Sequence, residues 1–262
     1  MSFKTLVNHD KKFILFWNEK VACSYLKRWY LESIGTKRVE ESGVGMCDVF
    51  SEDFNVHGFI TKNNSKFSIK RKNLNSFSNY KKLIVIRSPF DRLSSYYRDK
   101  VILNSWSKTD NKSKNRNRKY RISSDQFVSN DTTTFFELVK MIRNIDDTNI
   151  EPHLKSQAHN IEGIEFDHVI NIDDKINLGI KLSEILGINI KNKRFNQTSG
   201  KSESRGCEAK YQEGWGIMPF KFDKNSLPQT KDLFNLEIKK IVLKRYAKDF
   251  GKFKNYFNTN LV

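Results

Sequence analysis

A short apolar run that passes straight into an amphipathic helix constrains this chain more than any other feature. Leu83-Ile84-Val85-Ile86 is continuous and apolar, the pattern of a strand buried on both faces. Arg87 ends it. Ser88 can cap a helix and Pro89 suits its first turn. Phe90, Leu93, Tyr96, Tyr97 and Val101 then recur at helical spacing. A strand of this kind belongs to a parallel sheet with helices over both faces, so the expected class is α/β. Ligands of open α/β sheets bind at the carboxyl ends of the strands. Arg87 stands at such an end.

The same design occurs earlier. Phe13-Ile14-Leu15-Phe16-Trp17 reads as the first buried strand, and Asn18-Glu19-Lys20 makes the turn. Ala22, Tyr25, Leu26, Trp29 and Tyr30 then fall on one helical face. The loop lacks the Gly-x4-Gly-Lys-[Ser/Thr] pattern of a Walker phosphate loop, which argues against a nucleotide kinase. Its parts still suit an anion. Ala22, Cys23 and Ser24 are small enough to let backbone N–H groups approach one at the helix start, Ser24 adds a hydroxyl, and Lys20 adds an ammonium. The same residues also suit an ordinary strand–helix corner with solvent-facing lysines. The right-handed crossover rule puts both corners at one edge of the sheet. A ligand with two separated anionic groups fits Lys20 and Ser24 at one corner and Arg87 and Ser95 at the other.

Composition enters through charge. The chain has 262 residues, with 47 Lys+Arg against 30 Asp+Glu and a formal charge of +17. That balance favours a polyanionic partner: nucleic acid, an anionic membrane face, an acidic glycan or a multiply charged cofactor. The length suits one large domain over residues 1–262, with a basic surface insertion near 104–125. Cys23, Cys47 and Cys207 are odd in number and lack metal-ligand spacing, so neither a disulfide framework nor a metal site is expected. No run approaches a membrane span and the first residues lack a signal-peptide pattern, so the expectation is a soluble, cytoplasmic protein.

Between the two corners the chain is harder to read. Residues 44–56 suit a short helix or loop, His57-Gly58-Phe59-Ile60 a strand end with a histidine at a turn, and 62–72 a solvated loop. Residues 107–121 carry seven basic residues and one acidic one without apolar periodicity, as a surface loop or an arm that gathers a polyanion would. A helix follows over 134–142, capped by Thr132, Thr133 or Thr134. Residues 166–172 form another buried-strand pattern. Asp173 is the expected cap of a helix carrying Ile176, Ile180, Leu182, Ile185 and Leu186, which Gly187 ends. Residues 191–205 form a second basic loop, and 231–253 reads as one long terminal helix.

These stretches resemble the Golgi-type carbohydrate sulfotransferases that use 3′-phosphoadenylyl sulfate (PAPS), above all the chondroitin, dermatan and HNK-1 glycan branch and its bacterial relatives. That family carries Pro-Lys-Val-[Ala/Gly]-Cys-[Thr/Ser]-x-Trp-Lys-Arg after its first strand. This chain reads Glu19-Lys20-Val21-Ala22-Cys23-Ser24-Tyr25-Leu26-Lys27-Arg28. The second signature, Arg-x-Pro-Phe-x-Arg-Leu-x-Ser-x-[Tyr/Phe]-Arg-[Asp/Asn]-Lys, is matched nearly throughout by residues 87–100. His153-Leu154-Lys155-Ser156-Gln157 is similar to a His-Trp-x-Pro-Gln segment, and residues 246–253 to a terminal Tyr-x-x-Asp-Phe-x-x-Phe helix. Glu19 and Leu26 depart from the usual Pro and Trp, and the Trp after the segment's His is absent.

The resemblance implies a P-loop-like three-layer α/β fold, with a central parallel sheet flanked by helices. PAPS would be co-substrate, a carbohydrate hydroxyl the acceptor, acidic glycans among the candidates, and no metal would take part. Lys20, Val21, Ala22, Cys23, Ser24 and Tyr25 would cradle the 5′-phosphosulfate. Arg87 and Ser95 would hold the 3′-phosphate. Lys20 would stabilise charge on the bridging oxygen during in-line transfer. The acceptor needs a general base, and histidine is the usual choice near neutral pH. His153 lies in a family-like segment. His57 precedes Gly58 as in the His-Gly-His of uronyl 2-O-sulfotransferases, whose later His is the base; Phe59 holds that place here. The other class of function compatible with the charge is a non-catalytic polyanion- or nucleic-acid-binding protein on the same fold.

Overall fold

A computed structural model of the chain describes residues 4–49, 51, 53–103, 119–129, 131–174, 177–188, 211–223 and 226–257. In chain order these form β1 (Thr5–Asn8), β2 (Phe13–Phe16), α1 (Cys23–Ser33), α2 (Thr36–Glu40), α3 (Met46–Val49), α4 (Val56–Lys62) and α5 (Asn64–Phe67). Then come β3 (Lys81–Ile86), α6 (Pro89–Tyr96), β4 (Lys119–Arg121), β5 (Phe127–Ser129), α7 (Phe135–Ile142), β6 (His168–Asn171), α8 (Leu178–Leu186), α9 (Leu236–Arg245) and α10 (Ala247–Lys252). The chain gathers into two compact units, residues 1–87 with 160–197 and residues 88–159 with 198–262.

The first unit holds the main sheet, in the order β1-β2-β3-β6. β2, β3 and β6 run parallel, with Phe16 opposite Ile84 and Ile86 opposite Asn171. The class is α/β, with a mainly parallel central sheet flanked by helices. One expectation needs correcting: the strand at 13–16 is not the first. Thr5–Asn8 precedes it and pairs antiparallel, so the sheet is not wholly parallel. Four residues of mixed polarity gave too short a pattern to register. Alternate residues Phe13, Leu15, Leu83, Val85 and Ile170 share one core with Leu26, Trp29 and Tyr30 of α1 and Leu182 of α8. Ile14, Phe16, Ile84 and Ile86 are buried as well, as a sheet covered on both faces requires. The Tyr30 hydroxyl donates to Val7 O at 2.7 Å and ties α1 to β1.

Further corrections fall between the strands. His57 is not at a strand end. It lies in the first turn of α4, where Asn55 caps the helix by accepting from Gly58 N at 2.9 Å. Residues 62–72 are not a solvated loop throughout, because α5 buries Phe67 against Tyr30. Asp173 does not cap the next helix. Asn177 does, accepting from Ile180 N at 3.2 Å, and Gly187 ends α8 with φ 60° as expected. Ile176 and the loop at 191–205 lie outside the described residues.

In the second unit, α6 and α7 build a core from Phe90, Leu93, Tyr96, Tyr97, Phe135 and Leu138, with Ile238, Val242 and Tyr246 of the C-terminal helices. Thr134 caps α7 in a reciprocal capping box with Glu137. The terminal helix is two, not one: α9 breaks at Tyr246 (φ −107°, ψ 27°) before α10. Asn235 caps α9, which leaves 231–234 outside it. Of the basic insertion only its end is described, where Lys119–Arg121 pairs antiparallel with β5. Among the described residues no helix is long and apolar enough to cross a membrane.

Candidate active site

The loop between β2 and α1 is the most unusual backbone in the first unit. Lys20 (φ 66°) and Ala22 (φ 58°, ψ 43°) both adopt the left-handed conformation, with fully buried Val21 between them. Each such non-glycine residue costs about 1–2 kcal/mol, and strain of this kind concentrates where a backbone must present itself to a ligand. Ala22 is the Ncap residue of α1, and no side chain caps that helix. In α4, α6, α7, α8 and α9 the Ncap side chain accepts a backbone N–H. The start of α1 thus combines an N-terminus without a side-chain cap, the positive end of a helix dipole and Lys20 beside it, the features an anion site would use.

Cys23 braces this loop from inside. Its thiol donates to Asn18 O (3.0 Å) and lies 3.4 Å from the Glu19 carboxylate. Burial, then the Glu19 charge, pushes the thiol pKa up to about 12, so Cys23 stays protonated and is no nucleophile. Glu19 in turn pairs with Lys4. Tyr25 leans on α8, where a Cβ at Gly179 would lie 2.0 Å from its hydroxyl oxygen; only glycine fits there without displacing the ring.

His57 meets α1 directly. Its Nε2 lies 2.7 Å from Ser24 Oγ and its Nδ1 lies 2.8 Å from Lys27 Nζ. Lys27 follows Ser24 by one helical turn on the same face. It is 4% exposed, and its ammonium lies 4.4 Å from the centroid of the Trp17 ring. Burial lowers the Lys27 pKa, while the Glu19 charge supports the ammonium. His57 itself is exposed, so solvent screens its ring from that ammonium. His57 thus stands against the first turns of α1, between a hydroxyl and an ammonium.

Arg87 follows β3, and its Nε donates to the Asp173 carboxylate at 3.1 Å. Its Nη1 lies 3.4 Å from Lys20 O, so the guanidinium also touches the first loop. Asp173 follows β6. The groups after β2, β3 and β6 thus share the carboxyl edge of the parallel strands, where α/β sheets bind ligands.

The second unit holds the other candidates. Ser95 lies half-buried on α6. His153 sits in a single 3₁₀ turn, Pro152–Leu154, with Nδ1 hydrogen-bonded to the Glu151 carboxylate and the ring 25% exposed. A carboxylate on Nδ1 accepts from that nitrogen and so leaves Nε2 of the neutral ring as the accepting nitrogen. The segment around His153 is pinned from behind. Arg92 Nη2 donates to the carbonyls of His153 (3.3 Å) and Lys155 (2.9 Å). Arg92 and Asp249, both buried, approach to 3.6 Å, and Asp249 accepts from the Ser156 hydroxyl and from Ala158 N (2.8 Å). Tyr246 donates to Leu154 O at 2.9 Å. Arg92, Gln157, Tyr246 and Asp249, from three separate family-like stretches, therefore serve one structural network.

Lys27, Asp173 and Glu151 were not singled out from the sequence as site residues. Spacing carries some signal: Lys27 is three residues beyond Ser24, and Glu151 two before His153. Nothing in the pattern marks Asp173 as the partner of Arg87. Among the described residues, no group of three or more His, Cys, Asp or Glu side chains is arranged to hold a metal ion.

None of the curated proteins and none of the solved structures matches the chain. The model of the family described as Sulfotransferase family matches residues 4–256, a span that takes in the strained loop, Arg87 and the pinned histidine segment. The chain belongs to the sulfotransferase family.

Proposed function

We propose that this sulfotransferase moves the sulfuryl group of PAPS to a hydroxyl of a carbohydrate acceptor. The observation that carries the donor assignment is the loop at 17–22: two left-handed non-glycine residues lead into a helix with no side-chain cap, beside Lys20. That set of donors fits the 5′-phosphosulfate. The donor supplies an activated sulfuryl group whose leaving oxygen gains charge as the bond breaks. Lys20 stabilises that charge, the first amides of α1 and the Ser24 hydroxyl hold the non-bridging oxygens, and Arg87 takes the 3′-phosphate with Asp173 fixing its Nε side. The assignment of Ser95 to the same phosphate rests on the sequence resemblance. His153 is the better candidate base, because Glu151 on Nδ1 leaves Nε2 as the accepting nitrogen.

The carbohydrate acceptor follows from the sequence resemblance and the charge of +17, which suits an acidic glycan. Transfer of labelled sulfate from PAPS to a panel of glycans tests the reading, with binding of adenosine 3′,5′-bisphosphate measured alongside. Transfer that depends on Lys20, and nucleotide binding weakened by Arg87→Ala, are the expected results. Salt-sensitive binding to DNA or RNA, with no nucleotide binding and no transfer, would instead make the chain a non-catalytic polyanion binder.

A further inference from the structure

Ser24, His57 and Lys27 form a hydrogen-bonded line whose polarity is the reverse of a catalytic triad. In a nucleophile–base pair, the histidine nitrogen facing the serine is unprotonated and the other nitrogen faces a carboxylate. Here the other nitrogen, Nδ1, faces the Lys27 ammonium at 2.8 Å. An ammonium has donors and no acceptor, so Nδ1 must accept. The proton of the neutral ring therefore sits on Nε2 and is donated to Ser24 Oγ, 2.7 Å away. With its oxygen occupied as an acceptor, the Ser24 hydroxyl turns its own hydrogen away from His57.

We propose that His57 is a positioning residue. It relays the orientation imposed by Lys27 so that the Ser24 hydroxyl donates to an anionic oxygen of the bound sulfuryl donor. This rests on the donor assignment given above and goes beyond it: His57 acts through Ser24 and takes no proton from the acceptor. No bond to His57 or Ser24 forms or breaks. The acceptor oxygen bonds to sulfur, the sulfur–oxygen bond to the phosphate breaks with its electron pair passing to that phosphate, and the acceptor's proton leaves by another group. Lys27, buried against Trp17 with its Nζ 2.8 Å from Nδ1, is the donor that sets the direction of the whole line.

Two measurements test this. Nitrogen-15 NMR of histidine-labelled protein reads the tautomer without any turnover. The expected result is the Nε2–H form of His57 in the wild type, lost in Lys27→Met. An Nδ1–H ring or an imidazolium at neutral pH in the wild type would overturn the proposal, whether or not the protein transfers sulfate. The second measurement compares His57→Ala, His57→Gln and Ser24→Ala in steady-state kinetics. Glutamine can place an amide N–H where Nε2–H stands but cannot act as a base. His57→Ala should lose roughly a hundredfold in kcat/KM for the donor, the scale of a lost oxyanion contact. His57→Gln should recover to within about tenfold of wild type, and the Ser24→Ala/His57→Ala double variant should be little worse than Ser24→Ala. A glutamine variant as inactive as the alanine one, with the acidic limb of the pH–kcat profile abolished, would make His57 the base and reject the relay. Absence of both transfer and nucleotide binding in the wild type would reject the donor assignment instead, and the tautomer would still decide the orientation of the line.

Discussion

The two strand-to-helix corners look alike in sequence and differ in how their helices begin. At the second, β3 runs through Arg87 into α6, where the Ser88 side chain accepts from Phe90 N at 3.3 Å and Pro89 fills the first turn. That helix start is satisfied by its own residues. At the first, β2 leads through left-handed Lys20 and Ala22 into α1, with no capping side chain. One corner invests its residues in stability, whereas the other carries strain and has no side-chain cap.

The contrast can be broken from either side. The largest effect belongs to the helix that leaves the second corner. Arg92→Ala leaves the buried Asp249 without the guanidinium that faces it and removes the donors to the carbonyls of His153 and Lys155. Stability should fall by about 3–5 kcal/mol in urea unfolding; a loss below about 1 kcal/mol would show that the network is not structural. Next comes Lys20→Ala. Here kcat should fall by roughly 10²–10³-fold while the urea midpoint stays nearly constant, the opposite signature to that of Arg92. A variant that unfolds but keeps its turnover would reverse the roles of the two regions.

Ser88→Ala should cost about 1 kcal/mol, the usual worth of a cap, with little change in the apparent KM for PAPS. The smallest effect is a pH dependence. Folding holds the Cys23 thiol up to about 12 from an ordinary value of 9.0. Above pH 9 the unfolded chain loses this proton before the folded one does, so this group lowers stability as pH rises from 9 toward 12 and has no effect below 9. Cys23→Ser should accordingly show a shallower decline in thermal midpoint between pH 9 and 10.5 than wild type. At pH 8, in a Cys207→Ser background, a thiol reagent should label exposed Cys47 and spare buried Cys23.

The two histidines teach a related lesson. Both were candidate bases in the sequence, and both are hydrogen-bonded through Nδ1. The partner of His153 is Glu151, two residues away, whereas that of His57 is Lys27, thirty positions distant. A carboxylate on Nδ1 leaves Nε2 of a neutral ring as the accepting nitrogen, whereas an ammonium there makes Nδ1 the acceptor. Residue type alone could not separate them, because the difference lies in the sign of a neighbouring charge.

The sequence by itself determined the α/β class, the two corners, the capping of α6 and α7, and the Gly187 stop. Each of these rests on periodicity or on contacts within a few residues, which are local. Short or broken elements were lost for the same reason: β1 and α5 span four residues each, and the break at Tyr246 interrupts an apolar spacing that continues through it. Only the tertiary structure decided the backbone state of Lys20 and Ala22, the pairing of Arg87 with Asp173, the burial of Arg92 against Asp249, and the polarity of the Ser24–His57–Lys27 line. All four depend on which distant groups meet once the core has closed. Left-handed strain at Ala22 and a buried ammonium at Lys27 are each unfavourable alone, and they persist because the packed surroundings of α1 hold them in place.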